Sequence, residues 1–453
     1  MRRPGAGIFP RMIRGRLGAA TALLLLLAPA SCGGPAPAQP APKPALAARA
    51  GSPVVTAEPP AVQLVETAPV ETTLDHPDIP DAAVVWREMI DGATRTLDVA
   101  QFYVSNAPGG RLEPVLQAIE AAAARGVRVR LLVDEGFYGQ YPESADRLGK
   151  RAGVEVRRFD VSKHMGGVQH AKYFLVDGRE AYLGSQNFDW RSLEHIHELG
   201  VRVRQAEVTR ALADVFELDW GLAGGAAAKP DAAKGAGAAR FPIEVRQGGQ
   251  AMALTPLASP KGWLPDESLW DLPRLRAMID GARRSVTVQL LSHRPRMRDG
   301  TPFPDLDDAL RRAAARGVRV RLLLADWSKR RGSIEPLQRL AEVPGVEVKL
   351  ATIPRWSGGF IPFARVIHAK YMVVDGAAAW IGTSNWEGDY FQKTRNVGLL
   401  VEGGPFAGQL ERVFQEVWGG PYAAAVDPRG VYAPPPPSIE REEPSPPAAA
   451  PPP

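Results

Sequence analysis

His170-Ala-Lys-Tyr-Phe-Leu-Val-Asp177 is followed by Gly-Arg-Glu-Ala-Tyr-Leu and then by Gly184-Ser-Gln-Asn187. The phrase returns as His368-Ala-Lys-Tyr-Met-Val-Val-Asp375, Gly-Ala-Ala-Ala-Trp-Ile and Gly382-Thr-Ser-Asn385. In both copies Lys stands two residues after His, Asp seven, a hydroxyl (Ser185, Thr383) fifteen and an amide (Asn187, Asn385) seventeen. Five polar positions held at one spacing, in copies 198 residues apart, mark a duplicated functional unit.

The residue types suit one chemistry. Strand alternation puts the His and Lys of each copy on the same face. The apolar run 173–176 then crosses a core, and a second short strand, 181–183, ends in a Gly turn that delivers the hydroxyl and the amide. Two copies face to face would surround one anion with two imidazoles and two ammoniums. Such a site fits a phosphodiester: one His attacks phosphorus, the other protonates the leaving oxygen, and the donors hold the developing charge.

The pattern resembles the paired motif of the phospholipase D superfamily. Leu183-Gly-Ser-Gln-Asn-Phe-Asp-Trp-Arg-Ser-Leu193, Ile361-Pro-Phe-Ala-Arg-Val366 and Gly382-Thr-Ser-Asn-Trp386 resemble the branch containing the mammalian endolysosomal phospholipase D-like proteins. The likeness spans residues 68–420. It implies an α/β chain of two phospholipase D-like α-β-α sandwich domains in tandem, with pseudo-twofold symmetry and one shared active site. It also implies a covalent phosphohistidine that water or an alcohol then attacks. Asp177 and Asp375, at the far end of the apolar run, are expected to cap or pair locally, and the resemblance implies the same.

Further repeats support the duplication. Met89-Ile-Asp-Gly-Ala93 returns as Met278-Ile-Asp-Gly-Ala282, and the eleven residues 122–132 return unchanged as 313–323. The pattern predicts helices over 83–92, 112–125 and 206–220, and strands over 96–103, 127–134, 154–159 and 200–204, besides the two motif strands. The second unit repeats this order from 271 to 418. Alternating helices and strands predict a mixed, largely parallel sheet with helices on both faces.

At 453 residues, 45% hydrophobic and 23% charged, the chain is long enough for two cores. Its formal net charge of +5 comes from Arg2, Arg3, Arg11, Arg14 and Arg16, in a first segment without acids. The rest is formally neutral, so global charge gives no argument for a nucleic-acid partner. The arginines precede an apolar stretch, 17–28, that is too short to span a bilayer and reads as a secretion signal over 1–31. Cys32, the only cysteine, excludes an internal disulfide. The run Leu27-Ala-Pro-Ala-Ser-Cys-Gly33 resembles a bacterial lipoprotein processing site, with Pro29 departing from the usual Leu. It implies lipidation at Cys32 and a periplasmic, membrane-anchored protein of the bacterial envelope; the alternative is a simple secretory signal, giving a secreted protein, with Cys32 an inert thiol. The remaining boundaries read as an Ala/Pro-rich tether over 32–67, a first domain over 68–222, a linker over 223–239, a second domain over 240–426 and a Pro-rich tail over 427–453.

Seven histidines are present, and only His170 and His368 have the paired context of a catalyst. His164, on the loop before the first motif strand, is a secondary candidate. No Cys, His or Asp cluster has ligand spacing, so no metal and no cofactor is expected, and Lys172 and Lys370 supply the positive charge as phosphate clamps. Glu198 lies twenty-eight residues after His170, where Asn396 stands in the second copy. In the superfamily such an acid holds the imidazole in its working tautomer. On that basis Glu198 is expected to orient His170 as nucleophile, leaving His368 as acid. Phe188, Trp190, Trp386, Tyr390 and Phe391 crowd the motif loops, to stack on substrate or to pack the loops, and Arg191 and Arg365 could meet phosphate or pair with acids. The leading expectation is a phosphodiesterase acting on phospholipid or a related envelope phosphodiester, by hydrolysis or transfer to an alcohol. The alternatives are a 5′-exonuclease of single-stranded nucleic acid and a non-catalytic binding protein of the same fold.

Overall fold

Each motif folds as a hairpin, and the hairpin sets the sheet around it. The computed structural model describes residues 59–226 and 240–433. The expected leader, Cys32, the tether up to residue 58, residues 227–239 and residues 434–453 lie outside the described residues.

In the first unit the strands are β1 (Val62–Thr67), β2 (Thr96–Gln101), β3 (Arg128–Asp134), β4 (Val154–Phe159), β5 (Tyr173–Val176), β6 (Glu180–Gly184) and β7 (Glu198–Val203). Their order across the sheet is β1-β7-β6-β5-β2-β3-β4. In the second unit they are β8 (Ile243–Gln247), β9 (Gln250–Ser259), β10 (Ser285–Leu290), β11 (Arg319–Ala325), β12 (Val346–Ala351), β13 (Tyr371–Val374), β14 (Ala378–Gly382), β15 (Asn396–Gly403) and β16 (Ala423–Ala425). The order there is β8-β9-β15-β14-β13-β10-β11-β12-β16.

The largely parallel sheet expected from the sequence is not what forms. Only β2–β3–β4 and β10–β11–β12 run parallel, and every other pair in the two sheets is antiparallel. The cause is connection length. Helices Glu113–Ala124 and Asp305–Ala315 give parallel crossovers, whereas β5–β6 and β13–β14 are joined by turns too short for one. Each turn begins with the motif Asp in the left-handed region, φ 54° at Asp177 and 55° at Asp375, followed by Gly. Backbone N–H groups offset that strain: those of Thr94, Arg95 and Thr96 donate to the Asp177 carboxylate, and those of Arg283, Arg284 and Ser285 donate to that of Asp375.

Two boundaries move. Residues 62–67 are an edge strand paired along its length with β7, so the first unit begins before 68; the Ala/Pro-rich tract runs straight into a strand whose Val62, Leu64 and Val65 are buried. Residues 427–433 belong to the second unit and not to the tail. The Gln338 amide donates to the carbonyls of Asp427 and Gly430, and the Tyr432 hydroxyl accepts from the Asp427 N–H.

One apolar cluster lies outside each sheet, and a third is built from both units. In the shared cluster helices Ala206–Ala223 and Phe406–Gly419 contribute Phe216 and Phe414, and β5 and β13 contribute Tyr173 and Tyr371. Burial of that surface at about 25 cal/mol per Å² holds the halves together. Polar contacts then set their register. The Arg395 N–H donates to the Val168 carbonyl and the His170 N–H to the Arg395 carbonyl, each at 3.0 Å. Displaced by 198 residues, His197 N–H donates to the Val366 carbonyl at 2.9 Å and His368 N–H to the His197 carbonyl at 2.8 Å. The Arg395 guanidinium is fully buried on Asp219 and on the carbonyls of Ser259 and Trp263, so its charge is paired and its donors are used.

Candidate active site between the two units

The reciprocal bridges decide which partner each histidine meets. The residue after Arg395 is Asn396, and its Oδ1 lies 3.0 Å from His170 Nδ1. The residue after His197 is Glu198, and its Oε2 lies 2.8 Å from His368 Nδ1. The expected pairing of Glu198 with His170 is therefore wrong: each imidazole is oriented by the other unit. Sequence distance counts along one chain, whereas the bridge strands cross.

The tautomers follow from hydrogen-bond capacity. The Asn396 amide nitrogen donates to the carbonyls of Tyr390 at 2.9 Å and Thr394 at 3.2 Å. Its oxygen, which can only accept, therefore faces His170, so His170 Nδ1 carries the proton and Nε2 keeps its lone pair. Burial, then the charges of Lys172 and Lys370, press the His170 pKa well below the ordinary imidazole value, keeping it neutral. Burial also lowers His368, to about 4, but there the Glu198 carboxylate opposes the shift. Burial alone would raise Glu198; His368 and Lys370 outweigh it and hold the carboxyl below its usual range. Of the two rings, His368 is the one built to carry a proton. This geometry suits His170 to attack and His368 to protonation on a different ground from the one the sequence suggested: His170 sits beside the neutral amide and His368 beside the carboxylate.

The hydroxyls do not line the cleft. Ser185 and Thr383 are fully buried. Ser185 exchanges hydrogen bonds with the Leu199 backbone, both at 3.1 Å. The Thr383 hydroxyl donates to Asn396 Oδ1 at 2.9 Å and accepts from the Val397 N–H. They position β7 and β15, and with them Glu198 and Asn396; they do not meet substrate. Lys172 and Lys370 are likewise fully buried, and Lys172 Nζ donates to the His170 carbonyl at 2.6 Å. Burial and the Lys370 charge depress the Lys172 pKa well below that of a free lysine. Both side chains are thus buried, and neither is an exposed clamp.

His170, His368, Asn187 and Asn385 share one cleft. Asn385 Nδ2 reaches the Tyr390 hydroxyl at 3.1 Å. Asp177 and Asp375 remain at the hairpin turns described above. Of the aromatic candidates only Tyr390 lines the cleft; Phe188, Trp386 and Phe391 are core residues. Arg191 lines the cleft and is locked on Asp189, while Arg365 ties the units together through the carbonyls of Pro354 and Val70. His164 is outside the cleft, in edge contact with Trp263. Among the described residues no group of three or more His, Cys, Asp or Glu side chains is arranged to hold a metal.

Sequence reasoning missed the cleft's aromatic wall of Phe102, Tyr103, Phe137, Tyr141 and Phe363. Tyr103 and Tyr141 stack at 5.0 Å, and Phe102 meets the His170 ring edge-on at 5.1 Å. The available signal was position: Phe102 and Tyr103 directly follow β2, at the same sheet edge that presents His170.

The family described as "Cardiolipin synthase, PLD-like domain" matches residues 86–220 and again 275–418. The 5'-3' exonuclease PLD3 of Bos taurus is 35% identical over 398 residues, 80% of each chain. Phospholipase D Z of Dictyostelium discoideum is 29% identical over 81% of this chain and 90% of its own. The virion nicking-joining enzyme of Vaccinia virus is 32% identical over 75% of this chain and 83% of its own. Among solved structures, phosphatidylserine synthase of Haemophilus influenzae superposes with TM-score 0.53 at 11% identity, over 76% of this chain and 85% of that one, which shows the fold.

The division between the histidines predicts how pH dependence responds to their partners. If His170 works neutral and His368 protonated in the substrate complex, the acid limb of kcat reports His170 and the alkaline limb reports His368. Asn396→Asp places a carboxylate on His170, raises its pKa and moves the acid limb to higher pH. Glu198→Gln removes the charge from His368, lowers its pKa and moves the alkaline limb to lower pH. Limbs that shift the other way round would show the roles to be exchanged.

Proposed function

The chain belongs to the phospholipase D superfamily and is a phosphodiesterase, and from that premise we propose that its substrate is the 5′ end of a single-stranded nucleic acid. The observation that carries the proposal is the aromatic wall beside His170. Ring faces of this kind take nucleobases, with stacking worth about 1–3 kcal/mol per base. The same cleft presents Gln140, Asn187, Arg191 and Arg298. A base and sugar offer hydrogen bonds to polar groups of this kind, whereas an acyl chain offers none. The 5′ polarity is supported by the likeness to the 5'-3' exonuclease PLD3 proteins. The earlier weight on phospholipid came from the lipid-anchor reading of the leader, which bears on location and not on the cleft.

The chemistry proceeds by double displacement. His170 Nε2 attacks phosphorus, and the bond to the leaving oxygen breaks as His368 gives that oxygen its proton. His368, now neutral, takes a proton from the incoming water, whose oxygen displaces His170 from phosphorus. The charges of Lys172 and Lys370 stabilise the extra negative charge of each transition state. Both copies keep His, Lys and Asn, which weighs against a purely binding role.

We further propose that Cys32 carries a lipid that tethers the enzyme at the bacterial envelope, on the strength of its position after the apolar stretch. Cys32→Ser then moves the protein from the membrane to the soluble fraction; a wild type already soluble contradicts the tether.

The substrate is tested by product analysis on strands labelled at either end and on mixed phospholipid vesicles, with and without added alcohol. Stepwise mononucleotide release from the 5′ end of single strands is expected. Headgroup release or exchange on the vesicles, with intact strands, would overturn the nuclease reading.

A further inference from the structure

Equivalent segments of the two units differ in chemistry around the site. After β3 the first unit runs Glu135-Gly-Phe-Tyr-Gly-Gln-Tyr141, which supplies aromatic wall. After β11 the second unit runs Asp326-Trp-Ser-Lys-Arg-Arg-Gly332. Likewise Asn106-Ala-Pro-Gly-Gly110 in the first unit corresponds to Pro295-Arg-Met-Arg-Asp-Gly300 in the second. The segment after β3 presents Phe137 and Tyr141 to the cleft as an aromatic lip, and its counterpart after β11 presents Arg331 to a groove beside it.

This second groove is open. Arg296, Arg331 and Arg339 are exposed along it, over Pro295, Pro302 and Pro336. The Arg296 guanidinium donates to the Gly332 carbonyl at 2.5 Å, which fixes the two loops against each other. The groove's acid, Glu335, accepts from the Gly332 N–H at 2.6 Å. The lining offers no aromatic face, only guanidinium forks over proline and glycine, so it suits phosphate groups without reading bases. One loop joins it to the catalytic cleft. Leu291 and Arg298 line the cleft, Pro295 and Arg296 between them line the groove, and His293–Arg294 pairs with Trp386–Glu387, directly after Asn385.

Resting on the nucleic-acid reading of the cleft, we infer that this groove carries the backbone phosphates of the strand beyond the scissile bond. The terminal base stacks on the aromatic lip, its phosphate meets the histidines, and the following phosphates run over the arginines.

The test combines binding and turnover. Affinity for a phosphorothioate-linked single strand is read by fluorescence anisotropy across salt concentrations, and turnover by mononucleotide release from an ordinary strand. Each guanidinium on a phosphate adds about 0.7 to the slope of log affinity against log salt. The Arg296→Gln, Arg331→Gln, Arg339→Gln triple variant is expected to flatten that slope by about 2 and to weaken binding at low salt about tenfold or more. The Arg331→Gln, Arg339→Gln pair, which leaves the Arg296 tie in place, gives roughly two thirds of the change. Lysine at all three positions restores most of it. A triple variant with wild-type affinity and salt slope overturns the groove. A wild type that binds strands through these arginines but releases no mononucleotide overturns the nuclease reading and leaves the groove standing. A wild type that neither binds nor cleaves overturns both.

Discussion

Two pairs of main-chain hydrogen bonds, Arg395 with Val168 and His170, and His197 with Val366 and His368, carry the organisation of this molecule. They join the segment entering each motif strand to the segment entering β15 or β7 of the other unit. The site therefore does not belong to either unit. Separated, each would hold a histidine without its orienting group, and the apolar surface of Phe216, Tyr173, Phe414 and Tyr371 would be exposed. The buried Arg395–Asp219 pair raises the stakes of that docking, because withdrawing one partner strands the other's charge at a typical cost of about 3–5 kcal/mol.

From this symmetric frame the protein makes two unlike histidines by one difference at equivalent positions, Asn396 against Glu198. A neutral amide fixes a tautomer without favouring charge; a carboxylate fixes the tautomer and favours imidazolium. The buried lysines bias the whole site against further positive charge, most strongly at His170. A bound phosphodiester anion offsets that bias where the chemistry occurs. The asymmetry extends outward to the segments after β3 and β11, the first giving Phe137 and Tyr141 to the cleft and the second Arg331 to the groove.

Much of this was legible in the sequence. The spacing of His, Lys, Asp, hydroxyl and Asn announced the duplication, and Asp177 and Asp375, at the far end of each apolar run, read as local caps, as they are. Two kinds of information were not on the chain. Which imidazole Glu198 serves depends on a crossing between units, which residue counting cannot see. Whether Ser185 and Thr383 face substrate or backbone depends on one turn of the Gly loop, and they turn to Leu199 and Asn396. The sheet's direction was misread because helix–strand alternation was weighed above the short motif turns. The aromatic wall was missed because its rings come from three separate stretches of chain that only the docked fold gathers.

The central claim is that His170 attacks and His368 protonates. A nitrophenyl phosphodiester decides it, since nitrophenolate departs without needing a proton. The account predicts that His368→Ala releases a burst of nitrophenol and accumulates a phosphohistidine adduct at His170, whereas His170→Ala gives neither. A burst and adduct from His170→Ala, with none from His368→Ala, would contradict it.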